Sequence, residues 1–336
     1  MELDKRKINY FFESNEEKFK LEEFLKRRDC YPSHIVLHLT TNCNHNCNFC
    51  SNYYRLNKEE PRARIETQDI LNFIDEFESL GVKNLVISGG GEPFLHQGMP
   101  RILQRLNKSS LKSSVYTNLD IELTPEILQQ LSPSISVGIN INTFNTANYR
   151  TTRGKKANLE RVKSNISNLI KRDISVSAIV IVKEDLVGNI EETIRGIRNF
   201  GIEKIIVSPA FDLPYRDGIG VGQATIKKMS TLKKDFLSGG IRAIEPIGDP
   251  AVYKGGVFCK SPYFDVTIGA DYFLYPCCIT AYNTNFQLLN LKIYNSFKEA
   301  WQSEERKWKF ERFSPNCKTC WFDPVNKTLL EKWKKK

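Results

Sequence analysis

The chain has 336 residues, 40% of them hydrophobic and 26% charged, with a net charge of +10. That length can bury a full core and leaves room for a smaller second domain, and the composition excludes a disordered chain. No run approaches the roughly 20 apolar residues of a membrane helix, and MELDKRKINYFFESNEEKFK has no apolar signal region, so a cytoplasmic protein is expected.

After an N-terminal extension over residues 1–33, the pattern alternates strand and helix with short connections. Residues 35–39 read as a first strand. A helix from about Thr67 carries Ile70, Leu71, Ile74, Phe77 and Leu80 at helical spacing, with Gly81 beyond its end. Residues 85–88 make a second strand, followed by a helix with Ile102, Leu103 and Leu106. Residues 115–117 make a third, before a helix capped by Thr124 with Pro125 at its first position. Residues 135–141 form a fourth strand, and Leu159, Val162, Ile166 and Leu169 mark its helix. A fifth strand, 174–182, precedes a helix expected to start at Asn189, with Glu192 placed for a capping box, and to stop at Gly201. The sixth, 205–208, precedes a helix bearing Ile226, Met229, Leu232 and Phe236.

Six successive β/α units imply an α/β fold with a parallel sheet and right-handed crossovers, either doubly wound or curled into a partial barrel. In both, the ligand site lies at the C-terminal ends of the strands. The conspicuous loops obey that rule: three cysteines follow strand one, residues 89–93 follow strand two, and Thr117 and Asn118 end strand three. The alternation stops near Ser238, which places a boundary between a core over residues 34–237 and a smaller domain over 238–336.

Nine cysteines need an explanation in a cytosolic chain, where disulfides rarely persist. Cys43, Cys47 and Cys50 lie within eight residues, and Cys259, Cys277, Cys278, Cys317 and Cys320 fall in the last quarter, so two metal clusters are expected. Cys30 stands apart and has no assigned role. TNCNHNCNFC spaces its thiols as C-x3-C-x2-C. One loop can wrap an iron–sulfur cube with such spacing, but three thiolates leave one iron open to a substrate. The alternative is a zinc loop with His45 as fourth ligand.

CNHNCNFC, with Phe49 before the last cysteine, resembles the signature of the radical SAM superfamily. The resemblance implies a partial (β/α)6 TIM-like barrel and a [4Fe–4S] cluster on Cys43, Cys47 and Cys50. The fourth iron is then chelated by S-adenosylmethionine (SAM), which an electron splits into methionine and a 5′-deoxyadenosyl radical. Gly90, Gly91, Glu92 and Pro93 resemble the family's GGEP motif, which binds the SAM amino group. Asn118 sits where members place a polar residue near the SAM ribose, although the usual TNG reads TNL. NINTFNTANYRTTRG resembles a family stretch SxDx6YxxxRG, with Asn140 and Asn142 in place of its serine and aspartate and with Tyr149, Arg153 and Gly154 in agreement. Ile179 and Val180 are candidates for the adenine wall, with plain core as the alternative.

Cys259, Cys277, Cys317 and Cys320 form a four-thiolate set, and DYFLYPC resembles the DGxxxPC element of SPASM and twitch domains. The resemblance implies one auxiliary [4Fe–4S] cluster that passes electrons. Cys278 is then spare, either as an inert thiol beside the cluster or as a catalytic donor of a hydrogen atom to a substrate radical. The expected reaction is dehydrogenation or epimerisation of a small molecule, such as an amino sugar or cyclitol, or of a peptide. The alternatives are a maturase that cross-links a peptide, a nucleic-acid-modifying enzyme and an electron carrier. Flavodoxin or ferredoxin is the expected electron donor. The charge of +10 could reflect an anionic partner, but the lysines are spread along the chain. The only basic–aromatic stretch, EERKWKFERF at 304–313, has the alternating charge of an exposed helix face, so nucleic acid is not the favoured partner.

Overall fold

The computed structural model describes residues 15–27, 29–52, 62–210 and 259–313, together with Asn326 and a few positions between 220 and 227. The helix expected from Ile226 to Phe236, and Cys317 and Cys320, lie outside the described residues.

Nine strands form one sheet: β1 (His34–Thr40), β2 (Asn84–Gly90), β3 (Lys112–Thr117), β4 (Ile135–Asn140), β5 (Val176–Val182), β6 (Lys204–Pro209), β7 (Asp265–Ile268), β8 (Phe273–Tyr275) and β9 (Leu289–Asn290). Their spatial order is β6-β5-β4-β3-β2-β1-β7-β8-β9. Strands β1 to β6 are parallel and sit in chain order, with no reversal at a switch point. That order excludes the doubly wound alternative, and residues from the ends of all six strands line one cavity, so the sheet curls into a partial barrel. Strand β7 adds in parallel to the other edge of β1, and β8 and β9 continue antiparallel, so the segment after Cys259 extends the same sheet.

The outer layer follows the apolar periodicity. Helices α1 (Asn15–Arg27), α2 (Thr67–Ser79), α3 (Met99–Leu106), α4 (Pro125–Gln130), α5 (Thr146–Arg153), α6 (Leu159–Ile170) and α7 (Ile190–Asn199) precede or connect the parallel strands. Helix α2 buries Ile70, Phe73, Ile74 and Phe77, and α6 buries Leu159, Val162, Ile166 and Leu169. Their counterparts on β1 are Ile35, Leu37 and Leu39, all with no exposed surface. Thr124 caps α4 by accepting from Ile127 N. The capping box expected at Asn189 does not form: a 3-10 turn over Glu184–Asn189 feeds straight into α7, and Asn189 makes no side-chain cap. Helix α5 was hidden in the Asn-rich stretch after β4, where Asn145 caps it by accepting from Asn148 N.

Helices α8 (Phe297–Gln302) and α9 (Glu304–Arg312) close the C-terminal part. EERKWKFERF is α9, laced by Lys307–Glu304 and Lys309–Glu305 pairs. Its buried face carries Phe310 and Arg306, whose guanidinium forms two hydrogen bonds to the Asp29 carboxylate at 2.8 and 2.5 Å. This pair ties the segment before β1 to the C-terminal helices. Among the described residues no helix is long and apolar enough to cross a membrane.

Candidate active site

The parallel strands open onto a cavity of about 370 Å³. Around it stand Cys43, Cys47 and Cys50 after β1, residues 89–92 at the end of β2, Thr117 and Asn118 at the end of β3, Asn140 ending β4, Ile179 and Ile181 on β5, and Pro209 and Ala210 at the end of β6. Cys278 and Ile279 enter from the C-terminal segment. The loops expected on one rim therefore meet.

The cysteine loop is held by its own backbone. Asn46 N and Asn48 N donate to the carbonyls of Arg153 and Thr152, the exposed C-terminal acceptors of α5. Gly154 ends that helix at φ +104°, a conformation that glycine adopts readily. The loop also lies against β2, where Glu92 N donates to Asn42 O at 2.8 Å. A Cβ on Gly91 would collide with the Asn42 carbonyl, so this approach requires glycine.

Glu92 is buried, and its carboxylate is already occupied. Oε1 accepts from Thr117 Oγ1 at 2.7 Å and Phe94 N at 3.1 Å, while Oε2 accepts from Asn118 N at 2.8 Å. Burial pushes its carboxyl up to about 7, against the pull of those donors. Glu92 thus orders the ends of β2 and β3 and leaves a polarised carboxylate on the cavity wall. Pro93 is buried behind that wall at the start of a 3-10 turn.

Asn118 lines the cavity and donates to Asn44 Oδ1 at 2.9 Å. Leu119, which replaces the glycine of TNG, takes φ +54°. Thr117 Oγ1 accepts from Leu119 N and Asn118 Oδ1 accepts from Asp120 N, which holds this turn. The turn buries Asp120 beside the cysteine loop. Asp120 Oδ2 accepts from His45 Nε2 and from Asn158 N, both at 2.7 Å, and Oδ1 accepts from Arg161 Nε at 2.7 Å. Burial alone would raise Asp120, but these donors hold it below the usual carboxylate range. Burial lowers His45, and its Nδ1 has no hydrogen-bond partner.

Arg153 is the one cation among the residues that line the cavity, and it is 2% exposed. Its Nη2 donates to Asn140 Oδ1 at 2.5 Å and Asn142 Oδ1 at 2.8 Å, and Nη1 lies 4.0 Å from Cys47 Sγ. The rings of Tyr149 and Phe49 flank it at 5.1 and 5.4 Å. Among the described residues no carboxylate ion-pairs with it, and Nε is buried without a partner. Asn140 reaches the cavity, whereas Asn142 stands behind the wall, its Nδ2 donating to Ile181 O at 2.9 Å. Ile179 faces the cavity, Val180 is buried in the core, and the second apolar wall residue is Ile181.

The donor set fits an iron–sulfur cluster. Burial pushes Cys43 up to about 12 and moves Cys47 the same way, so bare thiolates are disfavoured and metal binding must displace their protons. A cube on three thiolates brings the negative charge that the buried Arg153 lacks. A single zinc ion would instead draw its donors to about 2.3 Å from one centre. Among the described residues no three His, Cys, Asp or Glu side chains form such a group.

The late cysteines divide. Cys259 is buried with its Sγ 3.1 Å from Ser261 Oγ, and Cys277 has its Sγ 3.6 Å from Thr280 Oγ1. Burial, then the nearby Cys259, pushes Cys277 up to about 11, so these two thiols lie close enough to feel each other. Cys278 lines the cavity and keeps accessible surface, while burial and the neighbouring Cys277 drive its thiol strongly toward the protonated form. Cys30 is buried with its Sγ donating to Tyr263 O at 3.3 Å.

Residues 37–197 match the Radical SAM superfamily model. The antilisterial bacteriocin subtilosin biosynthesis protein AlbA of Bacillus subtilis is 24% identical over 299 residues, 85% of this chain and 64% of AlbA. The 7-carboxy-7-deazaguanine synthase of Clostridium acetobutylicum is 27% identical over 173 residues, 50% of this chain and 69% of the synthase. The chain thus spans about two thirds of the length of these relatives. Streptococcus suis SuiB, solved with S-adenosylmethionine, superposes with a TM-score of 0.69 at 14% identity, covering 88% of this chain and 72% of SuiB. SuiB bound to its precursor peptide SuiA gives the same TM-score.

Proposed function

We propose that the chain, whose residues 37–197 match the Radical SAM superfamily model, cleaves SAM and inverts a C–H stereocentre, with Cys278 returning the hydrogen atom. The observation that carries this reading is that Cys278 shares one cavity with Cys43, Cys47 and Cys50. When bound, the cluster and SAM supply a 5′-deoxyadenosyl radical that removes a hydrogen atom from a substrate C–H bond.

In this reading Cys43, Cys47 and Cys50 hold the cluster, and residues 90–92, Asn118 and Asn140 contact SAM. Asn142 and Pro93 act from behind the wall by fixing Arg153 and the turn at Glu92. Arg153 offsets the charge of the cluster and of the SAM carboxylate. Cys278, protonated as its surroundings demand, gives its hydrogen atom to the substrate carbon: the S–H bond breaks, a C–H bond forms and a thiyl remains. An electron and a proton restore the thiol. Cys259, Cys277, Cys317 and Cys320 would hold an auxiliary [4Fe–4S] cluster, which would supply that electron from flavodoxin or ferredoxin. A cytoplasmic location fits that electron supply.

The substrate we infer is a peptide. AlbA, a bacteriocin biosynthesis protein, matches 85% of this chain and SuiB, solved bound to a precursor peptide, 89%, whereas the deazaguanine synthase matches 50%. The wall of Ile179, Ile181, Pro209, Ala210 and Ile279 suits an uncharged aliphatic residue.

Arg153→Gln is expected to weaken SAM binding at least tenfold, because a desolvated charge contact is replaced by a neutral amide. The check is the electron paramagnetic resonance spectrum of the reduced cluster. In the natural protein it should change on adding SAM, and in Arg153→Gln the change should need at least tenfold more SAM. A spectrum of the natural protein indifferent to SAM would refute the proposed cofactor site.

A further inference from the structure

Two aromatic residues that take no part in the reaction link the C-terminal segment to the loop assigned to SAM. Consecutive turns after the cysteine pair, Thr280 N to Cys277 O and Asn283 N to Thr280 O, both at 3.2 Å, deliver Tyr282 to the back of the β2 loop. Tyr282 adopts φ +67°, a left-handed conformation that a bulky residue holds only when its surroundings enforce it. Those surroundings are visible. The hydroxyl accepts from Ala270 N at 3.1 Å and lies 3.1 Å from His38 Nδ1. The His38 and Tyr282 rings stack at 5.6 Å and 30°.

His38 is 1% exposed, burial pushes its imidazole down to about 3, and its Nδ1 shares one buried hydrogen bond with the Tyr282 hydroxyl. It stands on β1 opposite Ser88, two residues before Gly90. Gly90 has φ +73°, and a Cβ there would collide with the Tyr282 hydroxyl and the Thr40 carbonyl. The first glycine of the GGEP stretch, Gly90, is thus explained by Tyr282, a residue four positions past Cys278.

We propose that Tyr282 and His38 form a strut that transmits the seating of the Cys277–Cys278 segment to the SAM-binding loop, which makes Tyr282 a positioning residue for SAM. The inference rests on the assignment of residues 90–92 to SAM. Tyr282→Phe keeps the ring and the stacking but leaves His38 Nδ1 and Ala270 N without their partner, so the loop loses its reference point on one side.

The test is SAM titration of the anaerobically reconstituted full chain, with iron, sulfide and thermal midpoint measured on each sample. Tyr282→Phe is expected to raise the SAM dissociation constant roughly fivefold to tenfold at unchanged iron, through the loss of its buried hydrogen bonds to His38 and Ala270. His38→Leu, which removes the His38–Tyr282 bond from the other side, should also raise it, and the double variant should be no weaker than Tyr282→Phe alone. A dissociation constant within about twofold of the natural protein in either iron-replete variant would overturn the strut. Should Tyr282→Phe lose iron, His38→Leu decides. A natural protein that binds no SAM would remove the underlying site assignment as well, an outcome distinct from variants that bind normally.

Discussion

Replacing Cys43, Cys47 and Cys50 together with alanine is expected to remove about four irons per chain and to abolish SAM cleavage. The three thiols share one loop whose amides hang on the carbonyls of Thr152 and Arg153, and no other cysteine among the described residues follows β1. Apart from the His45 N bond to Cys43 Sγ, the loop is held by α5, β2 and the Asp120 network, so the variant should keep its fold. Iron and sulfide after anaerobic reconstitution provide the check. A fall from about eight to about four establishes a second four-iron cluster on the late cysteines. A fall from about four to none, with zinc retained, makes the C-terminal site structural and leaves Cys278 without its electron route.

Cys278→Ala is expected to separate the two halves of the reaction. The variant should still cleave SAM, because Cys278 touches neither the cysteine loop nor Glu92 by any hydrogen bond in the structure. It should lose the inverted product, since no other thiol outside the two metal sets faces the cavity among the described residues. Turnover of the natural protein in deuterated water should place one deuterium at the product carbon, because a thiol exchanges with solvent. Mass spectrometry and chiral analysis of the peptide product read both outcomes. Unchanged product from Cys278→Ala would eliminate the donor role and favour dehydrogenation or cross-linking.

The parts of this site that could be read from the sequence are those that are local in sequence. Three thiols in eight residues announce a metal loop, and Gly90, Gly91 and Glu92 sit where a strand ends and a turn must begin. The barrel order was legible because each β/α unit repeats its own periodicity. What escaped was set by tertiary contact. His45 and Asp120 meet across 75 positions, and His38 and Tyr282 across 244, with no local pattern to announce either pair. Asn140 and Asn142 share a strand-like spacing, but β4 ends at Asn140, so the second amide turns behind the wall and meets the first only at the Arg153 guanidinium. The sequence also suggested a capping box at Asn189, where the 3-10 turn before α7 had already supplied the helix start. That Cys278 lines the cavity and Cys277 does not needed the structure, because adjacent residues differ only in the direction the backbone gives them.

The most direct measurement of the central claim is 5′-deoxyadenosine formed from SAM by the reconstituted natural protein with a strong reductant under anaerobic conditions. Formation that depends on the reductant and vanishes in the Cys43/Cys47/Cys50 alanine variant is expected. A protein with a full complement of iron that leaves SAM intact, with or without candidate peptides, would contradict the proposed chemistry and leave the open cavity as a binding site only.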